Sequence, residues 1–174
     1  MIKFIVFIIS VTHTLYAHPH TFIEIYPTIT VKNKIIENIK FKWQLDEMTS
    51  SMLIMEFDNN SDGKIDDEEN RYVFENYFLT LKDYNYYTDV LIDNKVQFFP
   101  TPRNFKTSIE NNRICYYFEI NPQYNIKNTK FDFGDTDFFV AMILKKEFVT
   151  ITGAIPKVSD LDNDFYFGYR LEIK

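Results

Sequence analysis

The chain has 174 residues, 45% of them apolar and 18% aromatic, and carries a net charge of −6. That length is enough for one domain with a real core, and so many Phe and Tyr side chains exclude a disordered chain. The acidic balance and the lack of any cationic block argue against a nucleic-acid partner, because phosphate binding needs a positive face.

At the start, Lys3 precedes an apolar run from Phe4 to Ile9 with Val11, and Thr14-Leu15-Tyr16 then lead to the small residue Ala17. This pattern predicts a signal peptide over residues 1–17, too short to be a spanning helix and cleaved after Ala17; the alternative is an uncleaved amino-terminal anchor. Residues 18–174 would then form a single exported, periplasmic domain that does not span the membrane. Loss of Lys3 leaves 18 basic against 25 acidic residues, a charge near −7. The lone cysteine, Cys115, has no internal disulfide partner, and its apolar neighbours Ile114, Tyr116 and Phe118 predict a buried thiol.

Next, Phe22–Tyr26 and Thr28–Val31 alternate as strand, and Asn33-Lys34 predicts a hairpin return into Ile36–Leu45. The period then changes. Met48, Met52, Leu53, Met55 and Phe57 fit a helix capped by Asp46 or Thr49. Beyond an acidic loop, Val73, Phe74, Tyr77, Phe78 and Leu81 repeat at steps of three and four, predicting an amphipathic helix from about Asp67 to Lys82. Strands are expected again over Tyr87–Ile92, Lys95–Phe99, Arg113–Ile120, Lys130–Phe133, Phe138–Leu144, Phe148–Thr152 and Phe165–Ile173, with prolines between the runs. The expected fold class is α+β: an antiparallel sheet or sandwich with an inserted helix–loop–helix hairpin at about residues 47–82.

The loop between the two expected helices, Asp58 to Glu69, follows the twelve-residue EF-hand calcium pattern. Calcium takes six to eight hard oxygen ligands, which Asp58, Asn60, Asp62, the Lys64 carbonyl, Asp66 and both Glu69 carboxylate oxygens would supply around the turn at Gly63. Asn70 departs from the pattern, which usually has an apolar residue there. No second loop is present, since the run from Asp160 to Asp164 lacks the glycine and the closing glutamate. A lone loop suits a structural, permanently filled site.

Cleavage after Ala17 would expose His18-Pro19-His20, the only histidines of the mature chain. In an extended segment His18 and His20 project to one side. Pro19 lacks an amide proton, which blocks the square-planar amino-terminal copper or nickel site. The remaining donors are the terminal amine, His18, His20 and a carboxylate such as Glu24, a set that suits zinc, copper or nickel. The plain alternative is a frayed terminus with two exposed histidines. Hydrolytic chemistry is not expected, because no histidine is available as a base outside the terminus, and Asp46-Glu47 reads as a helix N-terminus.

Taken in order, Ala17-His18-Pro19-His20, Thr21-Phe22-Ile23-Glu24, Phe41-Lys42-Trp43 running into Asp46-Glu47, the loop at Asp58–Glu69, Asn85-Tyr86-Tyr87-Thr88 and Phe133-Gly134-Asp135-Thr136-Asp137-Phe138-Phe139 resemble a family of uncharacterised periplasmic proteins. That family is described as the periplasmic component of an ABC-type transport system and is associated with nickel/cobalt-type membrane transporters. The resemblance implies a periplasmic accessory protein that binds nickel, cobalt, zinc or copper, exchanges it with a membrane transporter, and carries a calcium site. Ala141 stands where the resemblance leads one to expect an acid, leaving Asp135 and Asp137 as carboxylate candidates. The alternative is a calcium-dependent interaction module with no transition-metal role.

Overall fold

The computed structural model describes residues 20–137, 139–162 and 167–174. The expected signal peptide and His18 lie outside the described residues. In chain order the elements are β1 (Thr21–Lys32), β2 (Ile35–Leu45), α1 (Glu47–Phe57), α2 (Asp67–Val73), a π-helical turn (Phe74–Phe78), a 3-10 stretch (Leu79–Tyr87), β3 (Thr88–Ile92), β4 (Lys95–Gln97), β5 (Arg103–Glu110), β6 (Arg113–Ile120), β7 (Tyr124–Asn125), β8 (Thr129–Gly134), β9 (Val140–Ile143), a 3-10 turn (Lys146–Phe148), β10 (Thr150–Thr152), β11 (Pro156–Asp162) and β12 (Phe167–Ile173).

The strands form two sheets. The larger runs β10-β1-β2-β6-β5, with β9 also pairing β1 in parallel and β7 pairing β2; the second runs β11-β12-β8-β3-β4. Three tight hairpins, at Asn33-Lys34, Asp93-Asn94 and Asn111-Asn112, have both central residues at positive φ. That is the turn whose twist matches paired strands, and Asn and Asp tolerate it best.

The expectation of an α+β fold with a helix–loop–helix hairpin is corrected here. The described chain is predominantly β, sandwich-like in its two large sheets, and has only two α-helices. The expected second helix, to about Lys82, is α-helical only over Asp67–Val73; it then widens into the π turn and tightens into the 3-10 stretch, whose Tyr84, Asn85 and Tyr86 leave helical geometry altogether. Packing explains the break. Phe78 must enter an aromatic cluster on the larger sheet, within 4.3 Å of the Phe105 ring centre and 5.0 Å of Phe118. One extra residue in the turn re-aims the side chains to do so.

The core lies on one face of the larger sheet, where Phe41, Trp43, Tyr116 and Phe118 are buried. Phe133 of the second sheet meets Phe41 edge-on at 6.4 Å, and Phe78 with Tyr86 covers the rest of that face. Cys115 is buried as expected, and burial pushes its thiol up to about 11. At the far edge Gly153, with φ +85°, lies so close to β1 that a Cβ would fall 2.2 Å from the Val31 carbonyl oxygen.

The larger sheet's other face is polar. Lys42 donates to Glu110 at 2.7 Å, Tyr117 also donates to that carboxylate, and Arg113 meets Glu24 at 3.1 Å. The Lys42 ammonium and the Tyr117 hydroxyl hold the Glu110 carboxyl down at about 2, against an ordinary 4.5. A depressed carboxyl stabilises the fold fully above its unfolded value and loses that contribution as pH falls through the folded one. The Glu110→Gln variant is therefore expected to lose less stability than the parent between pH 4.5 and 2, read from urea midpoints across that window.

Candidate functional site

Asp46 caps α1: its carboxylate accepts from the Thr49 N–H at 2.9 Å and from the Phe22 N–H of β1 at 2.8 Å. Partial burial raises this carboxyl, but those donors outweigh it and hold it below its ordinary value. Phe57 is fully buried at the other end of α1, so the chain enters the acidic loop from a fixed point.

Within the loop each candidate ligand side chain accepts at least one backbone N–H. Asp58 accepts from the N–H groups of Asp62 and Gly63 at 3.0 and 2.9 Å; Asn60 accepts from Asp62 at 2.9 Å, and Asp62 from Lys64 at 2.9 Å. Asp66 caps α2 through the N–H groups of Glu68 and Glu69, both at 2.9 Å. The reciprocal half of this capping box is Glu69, which accepts from Asp66 N–H at 3.0 Å. Its other oxygen reaches across the loop to the N–H groups of Asn59 and Asn60, at 2.8 and 3.4 Å. Gly63 sits at φ +80° with open space where a side chain would stand, so the turn needs glycine for its backbone alone. Ile65 packs against the core and anchors the loop's midpoint.

Charge is the informative quantity. The loop holds Asp58, Asp62, Asp66, Asp67, Glu68 and Glu69 against Lys64 alone. Asp58 and Glu69 are each only 7% exposed, and among the described residues none of these six acids forms an ion pair. A buried carboxylate normally has a cationic partner or coordinates a metal. A cleft of about 540 Å³ opens between Glu56, Asn60, Asp66, Glu69 and Tyr72. Among the described residues no three Asp, Glu, His or Cys side chains converge into a metal cluster. The Glu69 carboxylate is instead turned onto backbone amides. The donor set still fits a hard cation in kind, since every candidate atom is oxygen.

Asn70 has a structural reason. Its side-chain oxygen accepts from the Thr107 N–H at 2.6 Å, tying α2 to the edge strand β5. Sequence alone misses this because the partner lies 37 residues away.

Of the expected transition-metal donors, His18 and the amine before it lie outside the described residues. His20 is exposed, stacked 6.1 Å from the Phe139 ring, while Glu24 is committed to Arg113 and Tyr26. Asp135 is buried and accepts from the N–H groups of Asp137, Phe139 and Val140 at 3.0–3.1 Å. It thereby shapes the loop that receives His20, whose own N–H donates to the Phe139 carbonyl at 2.9 Å. Asp135 also borders a second cleft, of about 380 Å³, with Tyr84, Tyr87, Asp89 and Asp137. Burial, followed by the Asp135 charge, pushes the Tyr87 hydroxyl up to about 12. Asn85, Tyr86 and Tyr87 beside it all adopt positive φ, fixed by Asn85, which donates to the Thr88 carbonyl and accepts from the Phe99 N–H. The aromatic run at 84–87 is visible in the sequence, but nothing there places it against Asp135.

Comparison with known proteins matches residues 3–161 to DUF1007, described as a protein of unknown function. An uncharacterized protein of Haemophilus influenzae is 31% identical over 135 residues, which cover 72% of this chain and 62% of that protein. An uncharacterized 15.5 kDa protein in the trpE 3'region of Spirochaeta aurantia is 31% identical over 97 residues, covering 54% of this chain and 69% of that protein. The chain thus spans less than two thirds of its Haemophilus relative. No solved structure matches.

Proposed function

We propose a role for this chain, which belongs to the DUF1007 family, as an exported metal-binding accessory protein: calcium is held in the 58–69 loop, and a transition metal is exchanged with a membrane transporter. The observation that carries the calcium reading is the pair of buried carboxylates, Asp58 and Glu69, with no cationic partner among the described residues. Calcium would take oxygens from Asp58, Asn60, Asp62, Lys64, Asp66 and Glu69 and supply the missing positive charge. Its role is structural: it would tie the end of α1 to the start of α2, and through Asn70 to the edge of the larger sheet.

The transport setting is supported by the resemblance of the sequence motifs and by His20, which is exposed just before β1. No helix among the described residues is long and apolar enough to cross a membrane. Elemental analysis of protein purified from the cell envelope is the test. The expected result is calcium together with nickel, cobalt, zinc or copper, with the transition metal lost and calcium retained when His18 and His20 are both replaced by Ala. Calcium alone in parent and variant would remove the transport role and leave a calcium-dependent interaction module.

A further inference from the structure

Helix α1 carries an inverted burial pattern. Thr49 and Ser50 are buried with Phe57, whereas Met48, Met52 and Met55 are 63, 56 and 78% exposed. The helix does not need these methionines to dock. Ser50 does that work, accepting from the Ile114 N–H at 2.9 Å and donating to the Leu45 carbonyl at 3.3 Å, while Phe57 packs edge-on to Tyr77 at 4.7 Å. Three of the chain's five methionines therefore stand on one solvent-facing stripe, and Met142, in β9, is the buried contrast at 2% exposure.

Their spacing has a chemical consequence. Steps of four and three residues place the three Cα–Cβ bonds within an arc of about 60° on a helix of 3.6 residues per turn. Neighbouring Cβ atoms at such steps are about 5–6 Å apart. Methionine is unbranched with three rotatable bonds, so two such sulfurs can close on one ion from either pair. Thioethers are soft, uncharged donors that select monovalent copper over the hard cations that carboxylates prefer. We infer that Met48, Met52 and Met55 form an exposed thioether site for a soft monovalent cation, with Met52 shared between the two pairs. It is independent of the oxygen-rich loop, which begins only at Asp58, and it needs neither His18 nor His20.

Silver(I), a redox-inert stand-in for monovalent copper, is the probe, titrated into the purified chain in chloride-free buffer with calcium present. With methionine methyl groups carbon-13 labelled, the signals of Met48, Met52 and Met55 are expected to shift together and saturate at a single equivalent, leaving Met142 unmoved. Combining Met48→Leu, Met52→Leu and Met55→Leu keeps bulk and helix propensity and should lose that equivalent. Unchanged silver affinity in the triple variant, or loss of binding in His20→Ala with the triple variant unaffected, would overturn the site. Calcium-dependent melting of the same samples reports on the loop separately, so failure of one site is not mistaken for failure of the other.

Discussion

Replacing Glu69 with Gln is expected to abolish the rise in melting temperature that calcium gives the parent chain. Glu69 closes the loop, and bidentate coordination requires both of its oxygens together with their charge. Those oxygens now accept from Asn59, Asn60 and Asp66 N–H groups. Calcium binding would turn the carboxylate from these amides to the ion. Gln keeps an acceptor for the amides but has one oxygen and no charge, so it preserves the capping box better than the metal site. At calcium a hundredfold above its dissociation constant, mass action stabilises the folded state by about 2.7 kcal/mol. For a chain of this size that is a shift of roughly 5–10 °C. Scanning calorimetry with calcium and with chelator reads it directly: the parent is expected to show the difference and Glu69→Gln to show none. Equal responses in both proteins would mean that Glu69 is not a ligand.

Truncation of Phe78 to Ala is expected to cost about 3–5 kcal/mol, the range for a large buried aromatic side chain. Phe78 is fully buried, and its ring centre lies between 4.3 and 6.4 Å from those of Phe105, Phe118, Tyr86, Tyr116 and Trp43. It joins the 74–87 segment to the larger sheet, so its loss removes contacts on both sides of that junction. Urea unfolding should show a lower midpoint with an unchanged slope, and amide exchange should show the 74–87 segment opening first. A loss below about 1 kcal/mol would mean that the segment is held elsewhere, since surface substitutions fall in that range.

The hairpin of β1 and β2 is legible from residue types alone, because alternating runs flank the Asn33-Lys34 turn, but the bulge that shifts the register by one residue between Thr30 and Val31 is not. Strand β5 is not. Arg103, Asn104, Lys106 and Ser108 make it read as loop, and only pairing with β6 across the Asn111-Asn112 turn makes it an edge strand. Strand β11, with Lys157, Ser159 and Asp160, escapes for the same reason. The second helix misleads in the opposite sense. Val73, Phe74, Tyr77, Phe78 and Leu81 have helical spacing, yet the aromatic cluster they must enter sets the backbone, and tertiary packing overrides local period. At the candidate site the oxygen donors of residues 58–69 can be read from the string itself, since all lie within one loop. What the string does not reveal is that Glu69 rests on backbone amides, that Asn70 secures β5, or that Met48, Met52 and Met55 face solvent rather than core.

Calcium titration by calorimetry into the purified, chelator-treated chain is the most direct measurement. A single saturable site is expected at or below roughly millimolar calcium, the range of extracellular calcium modules, with its heat absent in Glu69→Gln. No uptake at millimolar calcium by a chain that is folded and monodisperse would contradict a cation-filled 58–69 loop.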